Sequence, residues 1–298
     1  MLKNIRCFVT LLFCLIAVNS TALEIIRKNL DLPGWKTEHR DLKIMYITDL
    51  HLREEVISAP LFTKDLPDAI KKEKPHLLLI GGDLFQYRAD DYSPIKKDFQ
   101  TLLDSLPDIP CGIYAILGNH EEARPTPAIQ FLQSTKIKLL RDTMVSIPFN
   151  GQELILLGLQ DRSNEKKYFD EKIRQKILQY KTPILLLSHR PVIYPLIPAD
   201  KTVLILAGHT HGGVVHLPGF PRGALTKLMK HGHAGDYVYG WFEDGNKKMY
   251  VSAGMGGKGY SGARFNNPPE ALVLTFRKNK NNGSSTVCAR TEQKIEEN

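Results

Sequence analysis

Apolar residues along this chain fall in short unbroken runs rather than in strict alternation. Ile44-Met45-Tyr46-Ile47, Leu77-Leu78-Leu79-Ile80, Ile113-Tyr114-Ala115-Ile116-Leu117, Ile184-Leu185-Leu186-Leu187 and Val203-Leu204-Ile205-Leu206 are five such runs. A strand that is apolar at every position is buried on both faces, the habit of parallel sheets covered by helices. Stretches after the first three runs predict helices over Ala59–Lys72, Pro94–Ser105 and Thr126–Ser134, and this repetition implies βαβ units. The middle of the chain changes character. Met144–Phe149 and Glu153–Leu157 flank Asn150-Gly151, and Asp236–Phe242 and Lys248–Ser252 flank Asp244-Gly245; both read as hairpins closed by tight turns. The economical architecture is α/β, with two mixed sheets face to face and helices outside. Beyond Phe276 the sequence turns rich in Lys, Asn, Gly and Ser, and 278–298 reads as a disordered tail.

With 298 residues and 42% apolar content, the chain is long enough for one large core, and a single domain is expected over 42–277. Residues 1–22 stand apart: Lys3 and Arg6 precede an apolar run from Cys7 to Val18, and Ser20-Thr21-Ala22 offers small residues for cleavage. That is the pattern of an export signal, the run being short for a membrane span. An uncleaved N-terminal membrane anchor is the alternative. Four cysteines without Cys-x-x-Cys spacing exclude a disulfide scaffold; Cys111 is read as an ordinary core or edge thiol, with pairing to Cys288 as the alternative. The formal charge of +8 suits an anionic phosphate or membrane face. Without a dense Lys/Arg block interleaved with aromatics, no nucleic-acid partner is expected.

What the apolar runs deliver at their ends carries the chemistry. The first ends in Asp49-Leu50-His51, the second in Gly82-Asp83, the third in Gly118-Asn119-His120-Glu121, the fourth in His189 and the fifth in Gly208-His209-Thr210-His211. Functional groups of open α/β sheets gather beyond the carboxyl ends of the strands. His209 and His211, two apart on an extended backbone, face one side. Carboxylate, imidazole and amide oxygen together suit Mn, Fe or Zn better than an all-oxygen calcium cage. Glu121 is read either as a partner to a neighbouring imidazole or as a cap on the following segment.

In this order the five blocks resemble the calcineurin-like metallophosphoesterase superfamily. The stretch Val251-Ser252-Ala253-Gly254-Met255-Gly256 and then Arg264-Phe265-Asn266-Asn267-Pro268-Pro269-Glu270 is similar to its bacterial YkuE-like branch, which includes UDP-2,3-diacylglucosamine pyrophosphatases of lipid A synthesis. The resemblance implies a four-layer α/β/β/α sandwich and two divalent ions, manganese favoured. It assigns Asp49, His51 and His211 to one ion, Asn119, His189 and His209 to the other, and Asp83 as the bridge. Such a pair generates a hydroxide for in-line attack on phosphorus, and His120 would protonate the leaving oxygen or stabilise the transition state. Arg53 stands where the family usually has a small Gly and is taken as a substrate contact. Arg264 is taken as a second one, held by Glu270, with a wholly structural pair as the alternative.

Neighbouring branches fit less well. Asp-Arg-Gly of the protein phosphatases is replaced by Leu84-Phe85-Gln86-Tyr87-Arg88, and the tyrosine ligand of purple acid phosphatases by Gln86. The expected substrate is a phosphate-containing small molecule or lipid, UDP-2,3-diacylglucosamine being favoured. An exported phosphoesterase of a soluble substrate and a non-catalytic metal-binding scaffold are the alternatives. The segment 214–237, with Leu225, Leu228 and Met229 at helical spacing beside lysines, is read as a packed excursion or else as a membrane-facing lid.

Overall fold

The computed structural model describes residues 22–34, 41–86, 91–162, 171–217, 219–228, 236–257, 264–276 and 293–294. Of the export or anchor segment at 1–22 all but Ala22 therefore lies outside the described residues, as does Met229 of the 214–237 segment. Among the described residues no helix is long and apolar enough to cross a membrane.

Thirteen strands are described, in two sheets. They are β1 (Glu24–Leu30), β2 (Lys43–Ile47), β3 (Leu77–Ile80), β4 (Ile113–Ala115), β5 (Ile137–Leu139), β6 (Thr143–Phe149), β7 (Gln152–Gly158), β8 (Ile184–Leu187), β9 (Val203–Ala207), β10 (Gly240–Asp244), β11 (Lys247–Val251), β12 (Glu270–Phe276) and β13 (Gln293–Lys294). The first sheet runs β1-β12-β2-β3-β4-β5 and the second β10-β11-β9-β8-β7-β6-β13. Within them β2 to β5 are mutually parallel, as are β7, β8, β9 and β11. All five apolar runs thus sit in parallel registers and point their carboxyl ends the same way within each sheet.

Side-chain alternation explains why these runs are unbroken. Ile44, Tyr46, Leu77 and Leu79 face Leu185, Leu187, Leu204 and Leu206 in the core between the sheets. Met45, Ile47, Leu78 and Ile80 point outward to Ile70, Phe99, Leu102 and Phe131, which come from α1 (Leu66–Glu73), α2 (Ser93–Ser105) and α3 (Pro125–Gln133). Ile155, Leu157, Leu186 and Ile205 pack on Ile173 and Ile177 of α4 (Glu171–Gln179). The result is the expected four-layer α/β/β/α sandwich. Each strand loses water on both faces, so polar residues are driven to its ends.

Departures from the sequence expectation are local. The helix expected over Ala59–Lys72 is a π-helical turn, Leu61–Asp65, running into α1; Pro67 has no N–H for the preceding turn, and the ladder widens before it. The first hairpin closes at Asn150 (φ 50°) and Gly151 (φ 75°), as expected. In the second, β10 and β11 are joined by Gly245-Asn246, one residue later than read, with Gly245 at φ 57°. Gln293–Lys294, inside the expected tail, pairs antiparallel with β6. Cys111 is not a free thiol: it is buried and disulfide-bonded, and its partner lies outside the described residues.

Candidate metal centre

The carboxyl ends of β2, β3 and β4 meet those of β8 and β9 across the sandwich, and the strand-end turns bring Asp49, His51, Asp83, Asn119, His120, His189, His209 and His211 together. Three clusters of donor atoms result: Asp49/His51/His211, His51/Asp83/His120 and Asp83/His189/His209. Asp83 and His51 each belong to two of them, and of the two only the carboxylate of Asp83 has two donor oxygens to share. His51 Nε2 lies 3.1 Å from His211 Nε2, and His211 Nε2 lies 3.6 Å from Asp49 Oδ1. On the other side His189 Nε2 lies 3.1 Å from Asn119 Oδ1 and 3.3 Å from Asp83 Oδ2. Donors about 2.1 Å from a shared first-row ion stand roughly 3.0–3.4 Å apart, so these edges fit two coordination spheres sharing Asp83.

The backbone is bent to reach this arrangement. Asp49, His51, Asp83, His209 and His211 have φ between 49° and 70°, a region non-glycine residues seldom occupy. Close approach is what requires Gly118 and Gly208, because a Cβ on either would collide with the carboxylate of Asp83 or Asp49. Asp49 is held by Thr48 Oγ1 at 2.9 Å and by the His209 amide at 3.0 and 3.1 Å. The His120 amide donates to Asp83 Oδ1 at 2.9 Å. Glu121 settles the choice left open by sequence: it touches no imidazole. Its carboxylate accepts amides from Gly118 (2.8 Å), Asp83 (3.1 Å) and Phe85 (2.8 Å), capping its own helical turn and clamping the Asp83 turn to it.

Electrostatics match the donor chemistry. Burial holds His51 down to about 4 and, with His51 as neighbour, His211 well below the usual range. Both rings are neutral and offer lone pairs. Burial and the nearby Asp83 push Asp49 up to about 6. Burial also works against ionised Asp83, but His189, His120 and His51 outweigh it and hold the carboxyl well below the usual range. His189 is the counterpart: burial lowers it, while Asp83 and Asp49 outweigh burial and push it up to about 10. Two buried carboxylates thus call for positive charge at this spot, which a protonated His189 or a cation can meet. His189 Nδ1 donates to Gly81 O at 2.9 Å and His120 Nδ1 to Gln86 O at 2.7 Å. Both rings therefore turn Nε2 to the cradle, the orientation a ligand or proton donor needs.

Two substrate-contact expectations fare differently. Arg53 borders a cavity of about 230 Å³ beside the His51 turn, walled by Phe85 and Tyr92, and its Nε lies 3.2 Å from Glu55 Oε2. Arg264 instead gives four of its five N–H groups to main-chain carbonyls of Asn267, Ala253, Pro268 and Gly256. Nor does Glu270 hold it. Fully buried, Glu270 accepts from Tyr250, Ser252, Tyr239 and Arg222. The sequence also missed the Arg190–Asp161 ion pair, buried at 3.1 Å just behind His189. A larger cavity of about 470 Å³ lies against the β6–β7 hairpin, at the far end of the sheet from the centre.

Facing strand ends that converge buried aspartates and histidines on shared donor clusters define a metal-dependent hydrolase of the α/β sandwich type. Residues 42–213 match the Calcineurin-like phosphoesterase family, and the chain belongs to that family of metal-dependent phosphoesterases. Among its relatives are an uncharacterized metallophosphoesterase of Campylobacter jejuni, 29% identical over 86% of this chain; Phosphodiesterase YaeI of Escherichia coli, 27% identical over 81%; and UDP-2,3-diacylglucosamine pyrophosphatase LpxG of Chlamydia trachomatis, 26% identical over 85%. The chain spans 64% of the first relative's length and 88% of each of the other two.

Proposed function

We propose that this chain hydrolyses a phosphodiester or pyrophosphate bond of a lipid-linked substrate, with UDP-2,3-diacylglucosamine the favoured case. The observation that carries the reading is the complete donor set around Asp83, with His120 Nε2 at its edge, 3.9 Å from Asp83 Oδ2. Asp49, His51 and His211 would hold one divalent ion, Asn119, His189 and His209 the other, and Asp83 both; manganese is the proposed metal. When bound, the ions would supply a nucleophile at neutral pH and offset charge on the phosphoryl oxygens. His120, its ring fixed by Nδ1–H to Gln86 O, turns Nε2 towards the place of the leaving oxygen and would pass it a proton or stabilise the transition state. Arg53 faces the cavity beside His51, where the leaving part of a substrate would lie. The names of the YaeI and LpxG relatives support attack on a phosphorus bearing two substituents.

The membrane side of the proposal rests on two features. Residues 1–22 carry the apolar export or anchor pattern. Phe220, 61% exposed, stands on a tight turn nine residues after His211, held by Phe220 N–H to Leu217 O at 3.1 Å and by His216 Nε2 to Phe220 O at 2.8 Å. The test is hydrolysis of UDP-2,3-diacylglucosamine in detergent micelles with Mn²⁺, with Asp83→Asn alongside. UMP release by wild type alone is expected. Activity on bis-p-nitrophenyl phosphate without UMP release would favour the exported phosphodiesterase reading. Mn²⁺ binding with no turnover of either substrate would leave a scaffold.

A further inference from the structure

The two halves of the cradle are supported by different parts of the chain. The Asp83 turn and the Gly118 amide that leads into Asn119 are fixed by Glu121, and His189 by Gly81 O. The Asp49–His51–His211 half leans on the C-terminal motif. Arg264 ties the 253–256 loop to the 264–268 segment, donating to Ala253 O at 2.6 Å, Asn267 O at 2.7 Å, Pro268 O at 3.3 Å and Gly256 O. The loop it holds lies directly on Asp49. Met255 N–H donates to Thr48 O at 2.9 Å and Gly256 N–H to Asp49 O at 2.6 Å, and a Cβ on Gly254 would come within 2.7 Å of Asp49 Cβ. From the other arm Asn267 Nδ2 donates to His211 O at 2.6 Å. Asn267 Oδ1 is buried without a partner, and so is His211 Nδ1. When His211 engages an ion through Nε2, its Nδ1–H needs an acceptor, and Asn267 Oδ1 is the unused one at that backbone.

We propose that Arg264 and Asn267 are positioning residues for the Asp49–His51–His211 half alone, so that the two metal sites depend on different residues outside the ligand set. The inference rests on the dinuclear reading above. It gives the Arg-Phe-x-x-Pro-Pro-Glu motif a role in metal affinity rather than in substrate contact, because an Arg committed to four carbonyls has no fork left for a phosphate.

The test uses the full chain stripped of metal and titrated with Mn²⁺, followed by calorimetry and electron paramagnetic resonance. Wild type should take up two ions and give a spin-coupled spectrum. Asn267→Ala and Arg264→Lys should weaken one binding step about 10–100-fold, the usual scale for a lost outer partner of a metal ligand, and leave the other unchanged. At limiting Mn²⁺ they should show the six-line signal of an isolated ion. Thermal midpoints report folding, and Asn267→Ala serves if Arg264→Lys does not fold. Equal weakening of both steps, or no weakening in a folded variant, overturns the proposal. A wild type that binds fewer than two ions overturns the dinuclear reading itself.

Discussion

Glu121 is fully buried and accepts three main-chain amides, two on Oε2 from Gly118 and Asp83 and one on Oε1 from Phe85. Glu121→Gln keeps the shape and replaces one oxygen by an NH₂ group, which can only donate. In its better orientation the amide oxygen serves Gly118 and Asp83 and leaves the Phe85 N–H facing another donor. One orphaned buried donor costs about 1–3 kcal/mol, so urea unfolding above the value of about 8 to which burial and Asp83 push Glu121, where it is ionised, should show a loss of about 2 kcal/mol with the m-value unchanged. Glu121→Ala removes both acceptor oxygens, orphans all three amides and should cost about 3–6 kcal/mol, short of the full additive sum because neighbouring terms are not additive. Both variants loosen the turn carrying Asp83 and should weaken Mn²⁺ binding. If Glu121→Gln unfolds at the wild-type urea midpoint, the clamp is not what holds these turns together.

His120→Ala should lower kcat by about 10²–10⁴-fold, the range for a lost proton donor, with two ions still bound by calorimetry; an unchanged kcat would remove His120 from the chemistry. Gly118→Ala forces a Cβ into the Asp83 carboxylate, and strain of this kind costs about 1–3 kcal/mol; chemical denaturation and Mn²⁺ titration should both register it, and normal affinity would show that the turn yields freely. The metal-free protein should lose stability as pH rises. His189, pushed up to about 10 by Asp83 and Asp49 against burial, and Glu121, pushed up to about 8 by burial and Asp83, bind protons more tightly folded than unfolded. Their contributions are present below their unfolded values and fade as pH rises through the folded ones. Thermal midpoints in chelator should therefore fall between about pH 6.5 and 10, steepest where both titrate; a flat or rising profile refutes the assignment.

The sandwich was legible because its strands are buried on both faces, which leaves unbroken apolar runs with polar punctuation at one end. That punctuation is what the fold gathers into the candidate centre. Asp49, His51, Asp83, Asn119, His189, His209 and His211 each follow a run directly, so local order was enough to collect them. What could not be read depends on contacts made across long separations. Glu270 lies 46 residues beyond Ala224, the start of the short helix α5 (Ala224–Leu228), yet meets Arg222 and Tyr239 from that region. Arg264 looked like a phosphate contact because Arg beside a metal motif usually is one; only the fold shows its N–H groups turned to carbonyls. A Cys111 disulfide was held only as the alternative for the same reason. Two cysteines far apart in sequence say nothing of the Cα separation a disulfide needs.

The left-handed backbone at five of the donor residues ties these supports to the chemistry. Asp49, His51, Asp83, His209 and His211 each hold a positive φ with a side chain attached, and such conformations cost of order 1–3 kcal/mol apiece. A chain free to relax would rotate these residues out and separate the donors. What prevents it is the set of main-chain bonds on either side: Glu121 on the Asp83 turn, Gly256 N–H and Met255 N–H on the Asp49 turn, and Asn267 on the His211 turn. None of these groups is placed to touch a substrate, yet each holds a donor against strain. The donors would then meet a cation already at coordinating distance from one another, without ordering the chain at the moment of binding. Removing a support should therefore appear first in metal affinity and only through it in turnover.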